Sequence, residues 1–128
     1  MKVSLLNGAN LAYIGDAYYE LEIRKYLLTK NITNQKKLHT LATNFVSAEG
    51  HEKIMKYLFD ILTEEEVSIY KRGRNQSVNN TRKNLNQAAY LVSSGFEAII
   101  GYLYLINNKS RLDEIIGLAI KIIEETYE

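Results

Sequence analysis

Cysteine and proline are both absent from this chain of 128 residues. Without cysteine there is no disulfide, no thiol nucleophile and no thiolate metal site. Without proline nothing forces a break in a helix. Histidine occurs twice, as His39 and His51, too few for a multi-histidine zinc centre. Charge of one sign is also missing. The 16 basic and 15 acidic side chains leave a formal charge of +1, which does not by itself announce a nucleic-acid binder. Met1 to Gly8 carries one lysine and a short apolar pair, Leu5 and Leu6, so no secretory signal is expected. The longest charge-poor stretch, Leu85 to Ile106, is interrupted by Asn86, Gln87, Ser93, Ser94 and Glu97 and does not read as a transmembrane helix. A soluble, cytoplasmic protein that engages no membrane is expected.

What is present is enough for one folded domain. With 46% apolar and 24% charged residues, the chain is too apolar for disorder and long enough for one core. Helical period dominates. Between Ala9 and Thr29, Leu11, Ile14, Tyr18, Leu21 and Leu28 recur at spacings of three, four and seven. Thr33 is the expected cap of a second helix with Leu38, Leu41, Ala42, Phe45 and Val46 on one face. A third helix from near Ala48 should turn Ile54, Tyr57, Leu58 and Ile61 inward. Thr63 and Glu66 form a capping box that opens a fourth, with Gly73 as its expected end. A long helix or helix pair follows over Leu85 to Ile106. A last helix, capped by Ser110, carries Leu112, Ile115, Ile116, Ala119 and Ile123. The ten tyrosines mostly fall at core spacing. No strand pattern competes, and the expected fold is all-α with six or seven helices.

Two carboxylates sit where charge is otherwise avoided. From Val3 to Tyr19 the only charged residue is Asp16; from Leu85 to Ile106 it is Glu97. Burying an ionised carboxylate without a partner costs several kcal/mol. Gly15, Ala17, Ala98 and Gly101 beside them would let two helices approach closely and bring Asp16 and Glu97 face to face. A carboxylate pair repels unless a cation lies between. Magnesium suits such a site, because it takes few protein carboxylates and completes its shell with water and phosphate. Glu20, four residues after Asp16, shares its helix face as a third ligand or as the group that orients a water. The plainer alternative pairs these acids with Arg24 or Lys25.

The segment Lys71 to Asn84 has five basic residues, no acid and one apolar residue, and reads as a long polar loop. No acid lies between Glu66 and Glu97. Arg72, Arg74, Arg82 and Lys83 would draw phosphates, and Asn75, Asn79, Asn80 and Asn84 can bond sugars or base edges. His39 and His51 show no partner pattern and read as ordinary surface or core residues.

These residues fall into ordered blocks. Leu11 to Ala17 (LAYIGDA) resembles the signature helix of the ribonuclease III family, and Phe96 to Gly101 (FEAIIG) resembles its second metal-ligand helix. Tyr19-Glu20, Lys71 to Asn75 (KRGRN), Lys83-Asn84 and Gly101 to Leu105 (GYLYL) are similar, more narrowly, to the mini-ribonuclease III branch, which consists of the catalytic domain alone. The resemblance spans roughly Leu6 to Ile120.

It implies an all-α, homodimeric endonuclease domain that cleaves double-stranded RNA with magnesium, each subunit cutting one strand to leave a 5′-phosphate and a 3′-hydroxyl. Of the family's four acidic metal-site positions two match, Asp16 and Glu97; Ala12 and Ser94 occupy the others. The branch shares that depletion. By the same resemblance Glu20 joins Asp16 and Glu97 in catalysis. Arg72, Arg74, Asn75, Arg82 and Lys83 would contact RNA, and precursor large-subunit ribosomal RNA is the substrate, with a ribosomal protein as a candidate partner. The stretch between Asn75 and Arg82 departs from the branch pattern, with no proline before Lys83. No double-stranded-RNA-binding domain is expected beyond residue 128. Two competing readings remain: a catalytically silent RNA-binding scaffold of the same fold, and a helical protein-interaction module.

Overall fold

The computed structural model describes residues 1–76 and 86–127, and among these every regular element is helical. A short 3-10 turn, Val3–Leu5, precedes α1 (Gly8–Thr29). Then come α2 (Gln35–Val46), α3 (Ala48–Leu58), a second 3-10 turn (Phe59–Ile61), α4 (Glu64–Gln76), α5 (Gln87–Leu105) and α6 (Lys109–Thr126).

Asparagine does much of the work that proline and glycine do elsewhere. The Asn7, Asn34, Asn86 and Asn108 side chains each accept a hydrogen bond from the backbone N–H three residues on, at 2.8–3.2 Å. Ser47 caps α3 in the same way, at 3.0 Å from the Gly50 N–H. Thus Asn34, not Thr33, starts α2, and Asn108, not Ser110, starts α6. Asn31 and Asn107 carry φ of 62° and 61° just past α1 and α5, the left-handed stop that asparagine tolerates. The Thr63–Glu66 box forms as expected: each backbone N–H donates to the other residue's side chain, at 3.0 and 3.1 Å.

α5 is the central element and packs most extensively against α1, then α4 and α3. By length and mean hydropathy (1.3) it is apolar enough to cross a bilayer, contrary to the sequence reading. Here Ala89, Ser93 to Phe96, Ala98 to Gly101 and Leu103 are buried, as suits the core helix of a bundle. The α6 stripe is as expected, with Leu112, Ile115, Ile116, Ala119 and Ile123 all buried.

On α1 the buried line is Leu11, Gly15, Tyr19, Ile23 and Leu27, one position away from the expected stripe; Leu21 and Leu28 are exposed. The four-residue spacing runs through Gly15, which an apolarity count passes over. Tyr57 and Ile61, expected inside, are also exposed, whereas Ile54 and Leu58 are buried. Tyr13, Tyr57, Tyr104 and Tyr127 are exposed too, so tyrosine is less a core residue here than its spacing implied.

A polar clamp joins the starts of α4 and α6. Arg111 donates to both Glu66 carboxylate oxygens (2.8 and 2.7 Å), to the Ile61 carbonyl (2.9 Å) and to Glu114 (2.7 Å). Glu66 is buried. Burial alone would raise its pKa, but the Arg111 hydrogen bonds hold it below its ordinary value.

Candidate active site

The site is built on the crossing of α1 and α5, where glycines bring two backbones together. A methyl group added to Gly15 would lie 1.8 Å from the Glu97 carbonyl oxygen, and one on Gly101 would lie 1.9 Å from that of Leu11. Only residues without a Cβ allow this contact. The crossing places Asp16 and Glu97, each next to or near such a glycine, in the same spot. Two adjoining glycines extend the seam: Gly8 abuts the Arg72 carbonyl, and Gly73 abuts the Ser94 carbonyl and the Ala98 side chain.

Asp16 is exposed and Glu97 half-buried. Desolvation, then the hydrogen bond and charge of the adjoining Asp16, push the Glu97 carboxyl up to about 9. The Glu97 carboxyl so placed keeps its proton at neutral pH. The alternative pairing of these acids with Arg24 or Lys25 forms at Glu20 alone: Arg24 bonds Glu20 at 2.8 Å, whereas Lys25 pairs with Glu22 at 3.3 Å, and among the described residues neither is paired with Asp16 or Glu97. So of the three acids singled out, Asp16 and Glu97 meet, while Glu20 is turned to its own helical neighbour. Among the described residues no group of three or more acids, histidines or cysteines forms. The donor set is thus two hard carboxylates, one exposed and one half-buried. It fits a divalent cation that needs few protein ligands and keeps several waters.

The basic segment is not the loop that was expected at its start. Lys71 to Gln76 continue α4, and Gly73 does not end the helix but packs it onto α5. A glycine inside a helix is costly by propensity alone; here the close approach to Gly95 and Ala98 requires it. Arg72 is half-buried and donates to the Leu6 carbonyl at 3.2 Å, tying down the chain before α1. Arg74 lies over the Tyr70 ring, 5.9 Å from its centroid, and Asn75 is exposed on the last turn. Arg82 and Lys83, with Asn79, Asn80 and Asn84, lie outside the described residues.

Sequence reasoning passed over a buried cluster on the same two helices. His51 is buried, and its Nδ1 lies 2.7 Å from Ser93 Oγ, one helical turn before Glu97. Tyr19, three residues after Asp16, packs edge-on against His51 and Phe96, with centroids 5.4 and 5.0 Å apart. A buried polar residue on an apolar face, such as Ser93 within α5, is the signal that would have pointed there.

Comparison with known proteins gives a coherent result. Residues 9–108 match the family model described as the ribonuclease III domain. The chain is 48% identical over 122 residues to the mini-ribonuclease 3 of Acholeplasma laidlawii, covering 94% of this chain and 96% of that one. It is 45% identical over 125 residues to the mini-ribonuclease 3 of Enterococcus faecalis, covering 96% and 95%. A crystal structure of a Fusobacterium nucleatum protein superposes with a TM-score of 0.82 at 32% identity, covering 91% of this chain and 94% of that one.

Proposed function

Because the chain belongs to the ribonuclease III family and its mini-ribonuclease III branch, and is an endoribonuclease of that type, we propose that it cleaves double-stranded RNA with magnesium held by Asp16 and Glu97. The observation that carries this reading is the convergence of these two carboxylates at the glycine-lined crossing, where the Glu97 carboxyl is pushed up to about 9. A site that raises a carboxyl this far has an unmet demand for positive charge.

When bound, magnesium supplies Lewis acidity at the scissile phosphate. The chain's own residues do the rest. Asp16 and Glu97, on the two helices that pack most extensively, would hold the cation. Glu20, one turn beyond Asp16 and paired with Arg24, stands near enough in sequence to orient a water at the edge of the site. Arg74 and Asn75 on the last turn of α4 face a phosphate backbone, while Arg72 serves it in part, its guanidinium already bonded to Leu6. In the sequence, Arg82 and Lys83 continue the same basic run. Such contacts read the shape of an A-form duplex rather than its base edges, and binding weakens as salt rises.

The active unit in this reading is a cytoplasmic homodimer, each subunit cutting one strand. Support comes from α1, where Tyr13, Ala17 and Leu21 form an exposed, uncharged stripe at four-residue spacing beside Asp16. The cellular substrate is precursor large-subunit ribosomal RNA, whose shape a ribosomal protein could prepare. End mapping of products from a long duplex incubated with magnesium tests the reaction type. A 5′-phosphate and 3′-hydroxyl are expected; 2′,3′-cyclic phosphate or 3′-phosphate ends would overturn it.

A further inference from the structure

Within a helical turn of both carboxylates along α1 and α5 lies a buried contact that the reaction as described does not use. His51 comes from α3, which bears no other part of the site. It is 1% exposed, and Nδ1 meets Ser93 Oγ at 2.7 Å. Its ring also lies 4.8 Å from that of Phe96 and 5.4 Å from that of Tyr19. These neighbours flank both carboxylates: Phe96 directly precedes Glu97, Ser93 lies one turn before it on nearly the same face, and Tyr19 lies three residues after Asp16. One imidazole therefore touches the two helices that carry the site, and touches each within a turn of its acid.

This arrangement is poorly explained by stability. His51 Nε2 and Tyr19 Oη, both buried, have no hydrogen-bond partner among the described residues. An unsatisfied buried polar group destabilises the fold. An aliphatic side chain of similar size would fill the same space against Tyr19 and Phe96 without that cost. A hydrogen bond, in contrast to an aliphatic contact, fixes direction. The bond to Ser93 sets the rotation of α5 about its axis, and with it the direction of Glu97; the edge-on Tyr19 ring does the same for α1.

We propose that His51, acting through Ser93, is a positioning residue that holds Glu97 at the separation from Asp16 needed to bind the metal. The inference rests on the reading of Asp16 and Glu97 as the metal site. Partners that orient metal ligands characteristically contribute roughly tenfold or more to affinity.

The test compares wild type with Ser93→Ala, Ser93→Thr, His51→Leu and Asp16→Asn. Calorimetric titration with magnesium alone, in the absence of RNA, is followed by urea unfolding and by kcat and KM on duplex RNA. Ser93→Ala and His51→Leu should weaken magnesium binding about tenfold and lower kcat by a similar factor, with KM for the duplex changed less than twofold. Ser93→Thr, which keeps the hydroxyl, should recover both. The unfolding midpoint of His51→Leu should equal or exceed that of wild type, an outcome that a merely structural role for His51 would not give. Unchanged magnesium affinity in the folded Ser93→Ala and His51→Leu proteins overturns the inference while leaving the metal site standing. Activity that falls only in step with the folded fraction also overturns it. If Asp16→Asn binds magnesium as wild type does, the metal site itself is misassigned, and the inference falls with it.

Discussion

Replacing Gly101 with alanine adds one carbon at one of the two tightest points of the site's scaffold. That carbon would stand 1.9 Å from the Leu11 carbonyl oxygen, where ordinary contact begins at 3.4 Å, so α1 and α5 are short of room by 1.5 Å. The obstacle is helix backbone, which cannot rotate away as a side chain does. Overpacking of this kind costs about 1–3 kcal/mol, and the upper end applies to a backbone clash. Alanine returns about 1 kcal/mol of helix propensity. The net loss is about 2 kcal/mol, or a fall in Tm of roughly 8 °C for a domain of this size. Function should suffer more. Separating the helices by more than 1 Å moves Glu97 away from Asp16, and displacements of that order cost about a hundredfold in rate. Gly117 provides the control, because it is exposed on α6 and an added carbon there meets nothing within 4 Å. Gly117→Ala should raise stability by up to about 1 kcal/mol and leave cleavage unchanged. Urea unfolding followed by circular dichroism, paired with initial rates on a duplex, measures both effects. A Gly101→Ala protein with wild-type midpoint and wild-type turnover would refute the helix-crossing argument.

Three further outcomes follow from the same structure. Arg111→Met leaves the buried Glu66 carboxylate without its partner and should lower stability by about 3–5 kcal/mol in urea titration; pairing it with Glu66→Leu should restore most of that, since both charges are then gone. Burial pulls the His51 pKa from 6.5 down to about 3. The unfolded chain takes up this proton below about pH 6.5 and the folded one does not, so stability is full above that pH and falls on acidification toward 3, by about 3 kcal/mol at pH 4.5. Unfolding midpoints of His51→Leu measured over the same range should lack that component. Tyr13, 83% exposed at the first position of the uncharged α1 stripe, should tolerate Glu without loss of fold, while the proposed homodimer should shift to monomer in sedimentation equilibrium.

The parts of this structure that were legible in the sequence are those set by local chemistry. The α6 stripe and the Thr63–Glu66 box appear as written, because spacing and capping are short-range. Asp16 and Glu97 stood out because each is the lone charge in a long uncharged run, and the structure brings them together. What escaped depends on packing between helices. Gly15 and Gly101 were legible as points of close approach, but Gly15 did not count toward the apolar stripe of α1, which displaced that stripe by one position, and Gly73 was read as a helix end rather than an interface residue, which ended α4 too early. Asn34 and Asn108 outcompeted Thr33 and Ser110 as caps, a choice among neighbouring candidates that composition alone does not decide. His51 and Ser93 are separated by 42 residues, and no short-range pattern links them.

The central claim is that Asp16 and Glu97 form the metal-dependent centre of a duplex-cutting endonuclease. Its most direct test is cleavage of a structured RNA duplex by wild type and Asp16→Asn side by side, with magnesium and with a chelator. The account predicts cleavage by wild type with magnesium alone, abolished by chelation and by Asp16→Asn, while the variant stays folded. Cleavage that survives in Asp16→Asn or in the presence of the chelator, or its absence from folded wild-type protein, would contradict it.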